Sequence, residues 1–454
     1  MIEIVAIDTP SLGDRGYLAT DGEVALVVDA QRDFDRVTAA AAERDIAITH
    51  VFETHLHNDY VTGGLALAAA VGAQYLVSAE DRVEFERTPV ADGDVIDVGG
   101  MRVQVMGTPG HTFTHLAYAL ADRAGHGDVL AAFTGGSLLN GSTGRTDLLG
   151  AGHADELSRA QFGSAHRLAG ELPGSAQVCP THGFGSFCSA TPATGRQSTL
   201  ADEMRANPAL TSDEDAYVEH LLAGLELYPA YYSHMGPANA AGPAAPDLST
   251  PRRADPAELR RRIDAGEWVV DLRSRTAFAA GHLRGSLNFG SGSGLATYLG
   301  WLIPWGTPLT LIGASPQDVA DAQRELCRIG IDAITAAASW PDPDLASQPL
   351  ETYRTADFGA LAAAAGNDDV VVVDVRRSRE WQRSHLKVAM HIPLHELPAR
   401  LGEIPDGMVW VHCEAGYRAA VAASMLAAQG RRVVAVDDQF AAAEDAGLAT
   451  LAGP

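Results

Sequence analysis

The second half of the chain repeats itself at a fixed interval. Val270-Asp271-Leu272-Arg273 recurs as Val373-Asp374-Val375-Arg376, and Gly281-His282-Leu283 recurs as Ser384-His385-Leu386. Both recurrences lie 103 residues apart, whereas the units that build solenoids are roughly 20–50 residues long. In each copy an apolar, β-branched run precedes the Asp-x-Arg pattern and a helix-like segment follows it. The repeat therefore predicts two copies of one α/β domain, each with a parallel sheet.

A segment rich in proline, glycine and alanine precedes the first copy. Its composition is typical of an extended interdomain linker, and the 454 residues of the chain favour about three domains. We predict an N-terminal domain at residues 1–235, a linker at 236–255, the first copy at 256–345 and the second copy at 355–454.

Alternating histidines mark the N-terminal domain. His55 and His57 follow the apolar run Ile48–Thr54, which is typical of a strand. In extended backbone, residues two apart point the same way, so both imidazoles can face one ion. Such a site needs three or four donors. The candidate third ligand is His111, at a Pro-Gly turn after the predicted strand Arg102–Met106.

The N-terminal domain has four short motifs, which are His55-Leu56-His57-Asn58-Asp59, Pro109-Gly110-His111-Thr112, Thr134-Gly135-Gly136-Ser137 and Pro180-Thr181-His182-Gly183. Together these motifs resemble the metallo-β-lactamase superfamily. That resemblance implies a four-layer αββα sandwich with a metal at one edge. A further stretch, Gly144-Arg145-Thr146-Asp147-Leu148, is most similar to the persulfide dioxygenases and their glyoxalase-II-like relatives.

Two residues depart from the superfamily's ligand pattern. Tyr60 stands where its two-metal hydrolases have a histidine, and Gly136 stands where a metal-binding aspartate is usual. We therefore predict one divalent metal per chain, Fe(II) or Zn(II), held by the three histidines named above. Asp59 is a candidate ligand or catalytic proton carrier, and His182 a candidate for supporting a ligand or for a second metal position.

Arg145 and Asp147 allow two interpretations. They could bind a carboxylate of the substrate, or they could form a local ion pair. The sequence leaves both open.

A cysteine loop marks the second copy of the repeat. The apolar strand-like run Val409–His412 leads into Cys413, and an alanine-rich helical pattern follows. Backbone N–H groups of such a loop form an anion-binding cradle that favours a thiolate or a persulfide. Arg418 would add a fixed positive charge. The residues predicted to form this persulfide loop are Glu414, Ala415, Gly416 and Tyr417.

The second copy resembles the rhodanese domain, whose cysteine carries sulfane sulfur as a persulfide. The resemblance rests on Asp374-Val375-Arg376, Trp381, His391-Ile392-Pro393 and the Cys413–Arg418 loop. In the first copy the aligned loop reads Ile312-Gly313-Ala314-Ser315-Pro316 and has no cysteine. We therefore expect the first copy to lack sulfurtransferase activity and to act as a spacer or docking surface.

This combination of domains resembles bacterial fusions of persulfide dioxygenase and sulfurtransferase. The resemblance implies metal-dependent oxidation of a low-molecular-weight thiol persulfide, coupled to sulfur transfer through a Cys413 persulfide, with thiosulfate or sulfite as a further partner. Because the carboxylate at position 136 is missing, two alternatives stay open. One is a mononuclear zinc hydrolase of thioesters with a fused sulfurtransferase, and the other is a metal domain that only binds persulfide.

Composition narrows the partners and the compartment. A net charge of −25 argues against nucleic acid and anionic membrane surfaces as partners. No long apolar stretch or secretory signal is evident, and four cysteines are too few for a disulfide framework. We expect a cytoplasmic protein and leave open whether it forms a homo-oligomer.

Overall fold

The computed structural model describes residues 2–124, 128–190, 195–292, 294–341, 345 and 348–452. Within them, none of the helices is long and apolar enough to cross a membrane. The chain divides into two compact units, which are Met1–Asp247 with Cys327–Gly330, and Leu248–Leu326 with Ile331–Pro454.

Two sheets form the centre of the first unit, and each has six strands among the described residues. The first sheet runs in chain order, from β1 to β6, and the second runs in the order β12-β11-β10-β9-β8-β7. The strands of the first sheet are β1 Glu3–Thr9, β2 Asp14–Thr20, β3 Val24–Val28, β4 Ala47–Phe52, β5 Gln74–Ser78 and β6 Thr88–Val90. Those of the second are β7 Val95–Val98, β8 Met101–Gly107, β9 Leu116–Asp122, β10 Val129–Gly135, β11 Gln177–Pro180 and β12 Ser198–Thr199.

Helices cover the outer face of each sheet. Alternation along β8 buries Met101, Val103 and Val105 between the two sheets, together with side chains from the first sheet. The outer cores contain helical residues such as Leu67 on the first sheet and Leu168 on the second. The helices are α1 Asp35–Ala42 and α2 Gly64–Val71 on the first sheet, and α3 Ala154–Glu171, α4 Leu200–Ala206, α5 Pro208–Thr211 and α6 Glu214–Gly224 on the second. The predicted αββα sandwich is confirmed.

The start of the predicted linker is helical rather than extended. Helix α7, Tyr232–Ala241, continues five residues past position 236 and ends at Gly242, whose φ is +84°. Its buried Asn239 donates to the carbonyls of His57 and Tyr60 at 2.8 and 2.9 Å. These bonds favour helix over extended chain, and composition does not reveal them because their partners lie far away in sequence.

The second unit contains the two repeat copies, each built on a parallel sheet. The first copy orders its strands β15-β13-β16-β17, and the second orders them β19-β24-β23-β20-β22. The strands are β13 Trp268–Asp271, β14 His282–Leu283, β15 Leu287–Asn288, β16 Leu309–Gly313, β17 Ile334–Ser339, β18 Leu350–Glu351, β19 Arg354–Ala356, β20 Val370–Asp374, β21 His385–Leu386, β22 Ala389–His391, β23 Met408–His412, β24 Arg432–Val436 and β25 Thr450–Leu451.

The described helices of this unit flank those sheets. They are α8 Pro256–Asp264, α9 Arg275–Ala280, α10 Leu295–Leu302 and α11 Pro316–Arg328 in the first copy, and α12 Phe358–Ala364, α13 Ser378–Arg383, α14 Leu397–Arg400, α15 Tyr417–Ala428 and α16 Ala442–Asp445 in the second. The two-copy α/β prediction is confirmed. Parts of the predicted domain ends, at residues 342–344 and 453–454, lie outside the described residues.

The repeated Asp-x-Arg pattern makes the same clamp in both copies. Arg376 Nη2 donates to Asp374 Oδ2 at 2.7 Å and to the carbonyl of Ser384 at 2.7 Å. In the first copy, Arg273 Nη2 donates to Asp271 Oδ2 at 2.6 Å and to the carbonyl of Gly281 at 2.9 Å. Each clamp ties the end of a central strand to the chain that follows the next helix.

We expect Asp374→Ala to loosen the second copy, because it leaves the buried Arg376 guanidinium without its carboxylate. Breaking a buried ion pair in this way costs about 3–5 kcal/mol, which corresponds to amide hydrogen exchange faster by a factor of roughly 10²–10⁴. Exchange measured by mass spectrometry on peptides of β20 and β23 checks this. The matched control is Asp369→Ala, whose partner Arg432 is exposed, with an expected effect below about 1 kcal/mol. Equal effects for both variants would contradict the role of the clamp.

Candidate functional site

The two alternating histidines lie on a loop rather than on a strand. Strand β4 ends at Phe52, two residues before the predicted end at Thr54. The amide of Thr54 donates to Asp29 Oδ1 at 2.7 Å, so it leaves the strand ladder. The Thr54 hydroxyl lies 2.9 Å from His55 Nδ1, which leaves His55 Nε2 to face the interior. Local side-chain bonds, rather than strand alternation, therefore orient this loop.

Five histidines form one buried cluster. Both ring nitrogens of His115 already have hydrogen-bond partners, so the other four are the candidate ligands. His55, His57, His111 and His182 are each at most 1% exposed. The ring centroid of His55 lies 4.2 Å from that of His57, 4.8 Å from that of His111 and 5.4 Å from that of His182. The sequence placed His182 beside a three-histidine set, whereas the structure brings it into the same cluster, just after the end of β11.

The donor atoms of this cluster fit a metal ion. His57 Nδ1 and His111 Nε2 are buried and lack hydrogen-bond partners, although each ring's other nitrogen is bonded. The Nε2 atoms of His55 and His182 lie 3.4 Å apart. Two nitrogens that each bind one tetrahedral ion at about 2.0–2.1 Å would be separated by roughly that distance. Ligand atoms of His55, His57 and His182 all lie within 4.8 Å of one another, and so do those of His111, His182 and Cys188. The cluster can therefore hold a divalent cation through imidazole nitrogens, and His182 is common to both groups.

His111 lies in a slot between two glycines. Its Nδ1 is 2.7 Å from the carbonyl of Arg145. A Cβ at Gly136 would come within 2.3 Å of His111 Cδ2, and a Cβ at Gly144 within 2.6 Å of His111 Nδ1. Position 136 therefore has no room for a carboxylate while His111 occupies this place.

Two carboxylates lie behind His182. Its Nδ1 is 2.9 Å from Asp14 Oδ1 and 3.0 Å from Asp59 Oδ2. Burial would lower the pKa of His182, but the charges and hydrogen bonds of Asp59 and Asp14 outweigh it and raise this pKa to about 10. Burial, reinforced by the charge of Asp59, raises the pKa of Asp14 to about 7. A histidine whose other nitrogen is held by carboxylates has the arrangement typical of a metal ligand.

A second acidic pair supports His57. Its Nε2 lies 3.2 Å from Glu53 Oε2, 3.3 Å from Asp29 Oδ1 and 2.9 Å from the Tyr60 hydroxyl. Burial would lower the pKa of His57, but Asp29 and Glu53 raise it to about 9. For His111, burial and the charge of His182 lower the pKa to about 3, so its ring is neutral. The Tyr60 hydroxyl therefore contacts the ring of His57, which is a predicted metal ligand.

Besides Asp29, Glu53 and His115, three further residues at this site were missed from the sequence. Asp14 contacts His182, Asn239 binds the backbone of the histidine loop, and the buried thiol of Cys188 lies within 4.8 Å of ligand atoms on His111 and His182. Burial, together with the charge of Asp59, raises the pKa of Cys188 well above its usual range. Only Cys188 carried a local signal, since it follows His182 by six residues.

The contacts of Arg145 match the local ion pair. Its Nε and Nη2 donate to the two carboxylate oxygens of Asp147 at 2.7 and 2.8 Å. The remaining donors reach the carbonyls of Phe187 and Glu226 at 3.1 and 2.7 Å. With its side chain 3% exposed, Arg145 holds loops together and positions His111 through its own carbonyl. This geometry disfavours the alternative of substrate carboxylate binding.

Cys413 lies in a backbone cradle at the end of β23. Gly416 N–H and Ala419 N–H donate to Cys413 Sγ at 3.2 and 3.3 Å. Gly416 has a φ of +89°, and a Cβ there would lie 2.4 Å from Asp437 Oδ1, so glycine is required for the turn. The two N–H groups point where negative charge on a thiolate or a persulfide would lie.

The guanidinium of Arg418, beside the cysteine loop, forms an ion pair with Glu380. Arg418 Nη1 and Nη2 each donate to one carboxylate oxygen of Glu380 at 2.6 Å. Burial would raise the pKa of Glu380, but its hydrogen bonds to Arg418 and the charge of Arg418 hold it at about 2. The predicted fixed charge of Arg418 is therefore present but neutralised by Glu380.

Known proteins resemble both units of the chain. The family model described as "Rhodanese-like domain" matches residues 255–332 and 357–445. A hydroxyacylglutathione hydrolase of Cereibacter sphaeroides is 30% identical over 47% of this chain and 89% of its own length. The human protein named "Persulfide dioxygenase ETHE1, mitochondrial" is 27% identical over 48% of this chain and 76% of its own length.

A solved structure extends this likeness. A metallo-β-lactamase from Staphylococcus aureus subsp. aureus COL matches with a TM-score of 0.67 and 26% identity, over 74% of this chain and 99% of that one. The two-sheet sandwich and the two copies with parallel sheets agree with these matches. The chain belongs to the metallo-β-lactamase-fold family and carries two rhodanese-like domains fused to that fold.

Proposed function

We propose that the chain processes sulfane sulfur. In this account a metal-dependent site in the first unit oxidises a low-molecular-weight thiol persulfide, and Cys413 carries sulfane sulfur in the second unit. The observation that carries the proposal is the Cys413 cradle, in which two N–H groups donate to Sγ. The persulfide dioxygenase relative supports the oxidative half. As part of this proposal the chain acts in the cytoplasm, a setting compatible with its four cysteines, which are too few for a disulfide framework.

In the first unit, His55, His57 and His111 would hold one Fe(II) or Zn(II), with His182 as a fourth donor. When bound, the metal supplies Lewis acidity for a sulfur substrate and, if it is iron, electrons for dioxygen. Asp14 and Asp59 hold Nδ1 of His182 and so direct its Nε2 toward the other imidazoles. Because every one of these side chains is buried, the cluster keeps bulk water away from a bound substrate.

In the second unit, sulfur transfer needs only groups of the protein. The Cys413 thiolate attacks the outer sulfur of a persulfide R–S–SH, the S–S bond breaks, and R–S⁻ leaves with the electron pair. Gly416 N–H and Ala419 N–H then stabilise charge on the new Cys413 persulfide. An acceptor nucleophile removes the terminal sulfur and restores the thiolate.

Hydrolysis of a thioester is the second candidate for the metal site. The position of His111 between Gly136 and Gly144 favours it, because a carboxylate at position 136 has no room. The remaining donors are nitrogens, which suit catalytic zinc and lack the carboxylate expected of an iron triad. In that case the histidines would hold zinc, which would supply a lowered pKa, about 7, for a water molecule at the site. Asp59 would assist proton transfer. The 30% identical hydroxyacylglutathione hydrolase supports this candidate.

Metal content and dioxygen uptake separate these candidates. We expect the full purified chain to hold about one divalent ion, as a single cluster of histidines implies, and the iron-loaded chain to consume dioxygen with glutathione persulfide. Elemental analysis and an oxygen electrode measure both. If the resident ion is zinc, and the chain cleaves a glutathione thioester without taking up dioxygen, the metal site is a hydrolase rather than a dioxygenase. Absence of bound metal would reduce the unit to a persulfide-binding module.

We expect Gly136→Asp to weaken metal binding rather than to restore a carboxylate ligand. The new Cβ would collide with the His111 ring, which must then leave its place. Displacing a supported ligand costs about 10–100-fold in metal affinity, which competition with a chelating dye measures. Gly163→Asp is the matched control, since nothing lies within 4 Å of a Cβ at that position. Tighter metal binding by the Gly136→Asp protein would show that the position of His111 does not exclude a carboxylate at residue 136.

We expect Cys413→Ser to abolish sulfur transfer, since serine cannot carry a persulfide. The assay is formation of an enzyme-bound persulfide, seen as the mass of one added sulfur atom on the intact protein. The control Cys327→Ser changes another buried cysteine, in α11, and should retain transfer. Persistent loading of the Cys413→Ser protein would refute the assignment.

A further inference from the structure

The first unit includes a short segment from much later in the chain, Cys327–Gly330. The segment begins in the last turn of α11 and ends at Gly330, whose φ is +74°. Cys327, Arg328 and Ile329 are all buried. The same residues lie within the range 255–332 that the rhodanese-like family model matches. A piece of the first repeat copy is therefore packed as part of the unit that holds the histidine cluster.

The side chain of Arg328 binds a buried carboxylate of that unit. Its Nε and Nη2 donate to Asp33 Oδ1 and Oδ2 at 3.0 and 2.6 Å. Arg36 Nη2 donates to the same carboxylate at 3.0 Å. Burial would raise the pKa of Asp33, but its bonds to Arg328 and the charges of both arginines hold it below its ordinary value. The ionised Asp33 carboxylate therefore anchors Arg328 through a two-bond pair, a geometry for which the guanidinium is suited.

The backbone of Arg328 binds the loop that carries the metal ligands. Its carbonyl accepts from the amide of Val61 at 2.7 Å. Asn239 holds the groups on either side, since it donates to the carbonyl of His57 at 2.8 Å and accepts from the amide of Thr62 at 2.9 Å. Val61 is itself buried, so its amide needs this partner. Arg328 and Asn239 together fix the backbone that follows His57.

The two segments that Arg328 joins meet again at His57. The segment that ends at Asp33 begins at Asp29, whose Oδ1 lies 3.3 Å from His57 Nε2. Asp29 has a φ of +52°, a left-handed conformation that a residue other than glycine keeps only where its surroundings hold it. The second segment contains His57 itself, four residues before Val61. Arg328 therefore fixes both the backbone of His57 and the chain that presents a carboxylate to its ring.

We infer that Arg328 is a positioning residue for the metal centre, where it keeps His57 Nδ1 directed toward the other imidazoles by holding Asp33 and Val61. The inference rests on the proposed metal site and deepens it. Arg328 acts through the position of the loop rather than on the metal. Because Arg328 is the last residue of α11, the first repeat copy contributes to the metal centre and is more than a spacer.

The test measures Co(II) binding by the full chain after its resident metal has been removed by chelation. Competition with a chelating dye gives the affinity, and the visible absorption bands of bound Co(II) report the ligand geometry. Arg328→Gln removes the two-bond pair with Asp33, so the affinity should fall about 10–100-fold, as it does when other residues that orient ligands are lost. The absorption bands should change with it. Arg36→Gln is the matched control, because it removes the other guanidinium from the same carboxylate and should leave affinity and bands unchanged.

Arg328→Lys decides the question if Arg328→Gln does not fold. Lysine keeps a positive charge opposite Asp33 but cannot form the two-bond pair. The Co(II) affinity of this protein should lie between those of the wild-type and Arg328→Gln proteins. Its Val61 amide should exchange hydrogen faster than in the wild-type protein, which mass spectrometry of a peptide spanning residues 56–63 measures.

The outcomes separate this inference from the metal site on which it rests. Wild-type affinity and absorption bands in the folded Arg328 variants would overturn the inference while the metal site stands. Equal losses in Arg36→Gln and Arg328→Gln would also overturn it, because a weakened hold on Asp33 would then be the cause rather than the bond to Val61. A wild-type chain that binds no Co(II) would overturn the proposed metal site and the inference together.

Discussion

Burial of ligand atoms without hydrogen-bond partners is the constraint on which the first unit depends. An unsatisfied buried polar group costs about 1–3 kcal/mol, and a domain has only about 5–15 kcal/mol of net stability. His57 Nδ1, His111 Nε2, Asp14 Oδ2 and Asp59 Oδ1 are all buried without such partners in the described structure. Their summed cost is comparable with the stability of the unit. A bound cation that satisfies the two imidazole nitrogens would account for their retention, which supports the metal-dependent half of the proposed function.

The same constraint explains which site residues the sequence could predict. His55, His57 and His111 are recognisable because ligand residues recur at short spacings beside turn signals. Asp14 and Asn239 have no such signal, because each acts on a histidine or a loop that lies far away in sequence. The end of β4 was predicted two residues late because the Asp29 carboxylate captures the Thr54 amide, and no local pattern encodes that bond. The glycine slot around His111 likewise depends on three segments that meet only in the fold.

In the second unit, most of the fold follows from local sequence patterns. The Asp-x-Arg clamp and the strand, loop and helix order of each copy are local, so an internal repeat was sufficient to predict two similar domains. The role of the copy without the cysteine depends on contacts between residues far apart in sequence. The sequence suggested a spacer or docking surface, whereas Arg328, at the end of α11 in that copy, bonds to Asp33 and Val61. The pairing of Arg418 with Glu380 was also not predicted, since it joins a loop to a helix 38 residues earlier.

A nitrogen-dominated metal centre, formed without a carboxylate at position 136, is the central claim, and X-ray absorption fine structure tests it most directly. Measured on the full chain with its resident metal, the spectrum should show several imidazole nitrogens at about 2.0–2.1 Å and no sulfur ligand. A shell dominated by carboxylate oxygens, or a sulfur at about 2.3 Å from Cys188, would contradict the account.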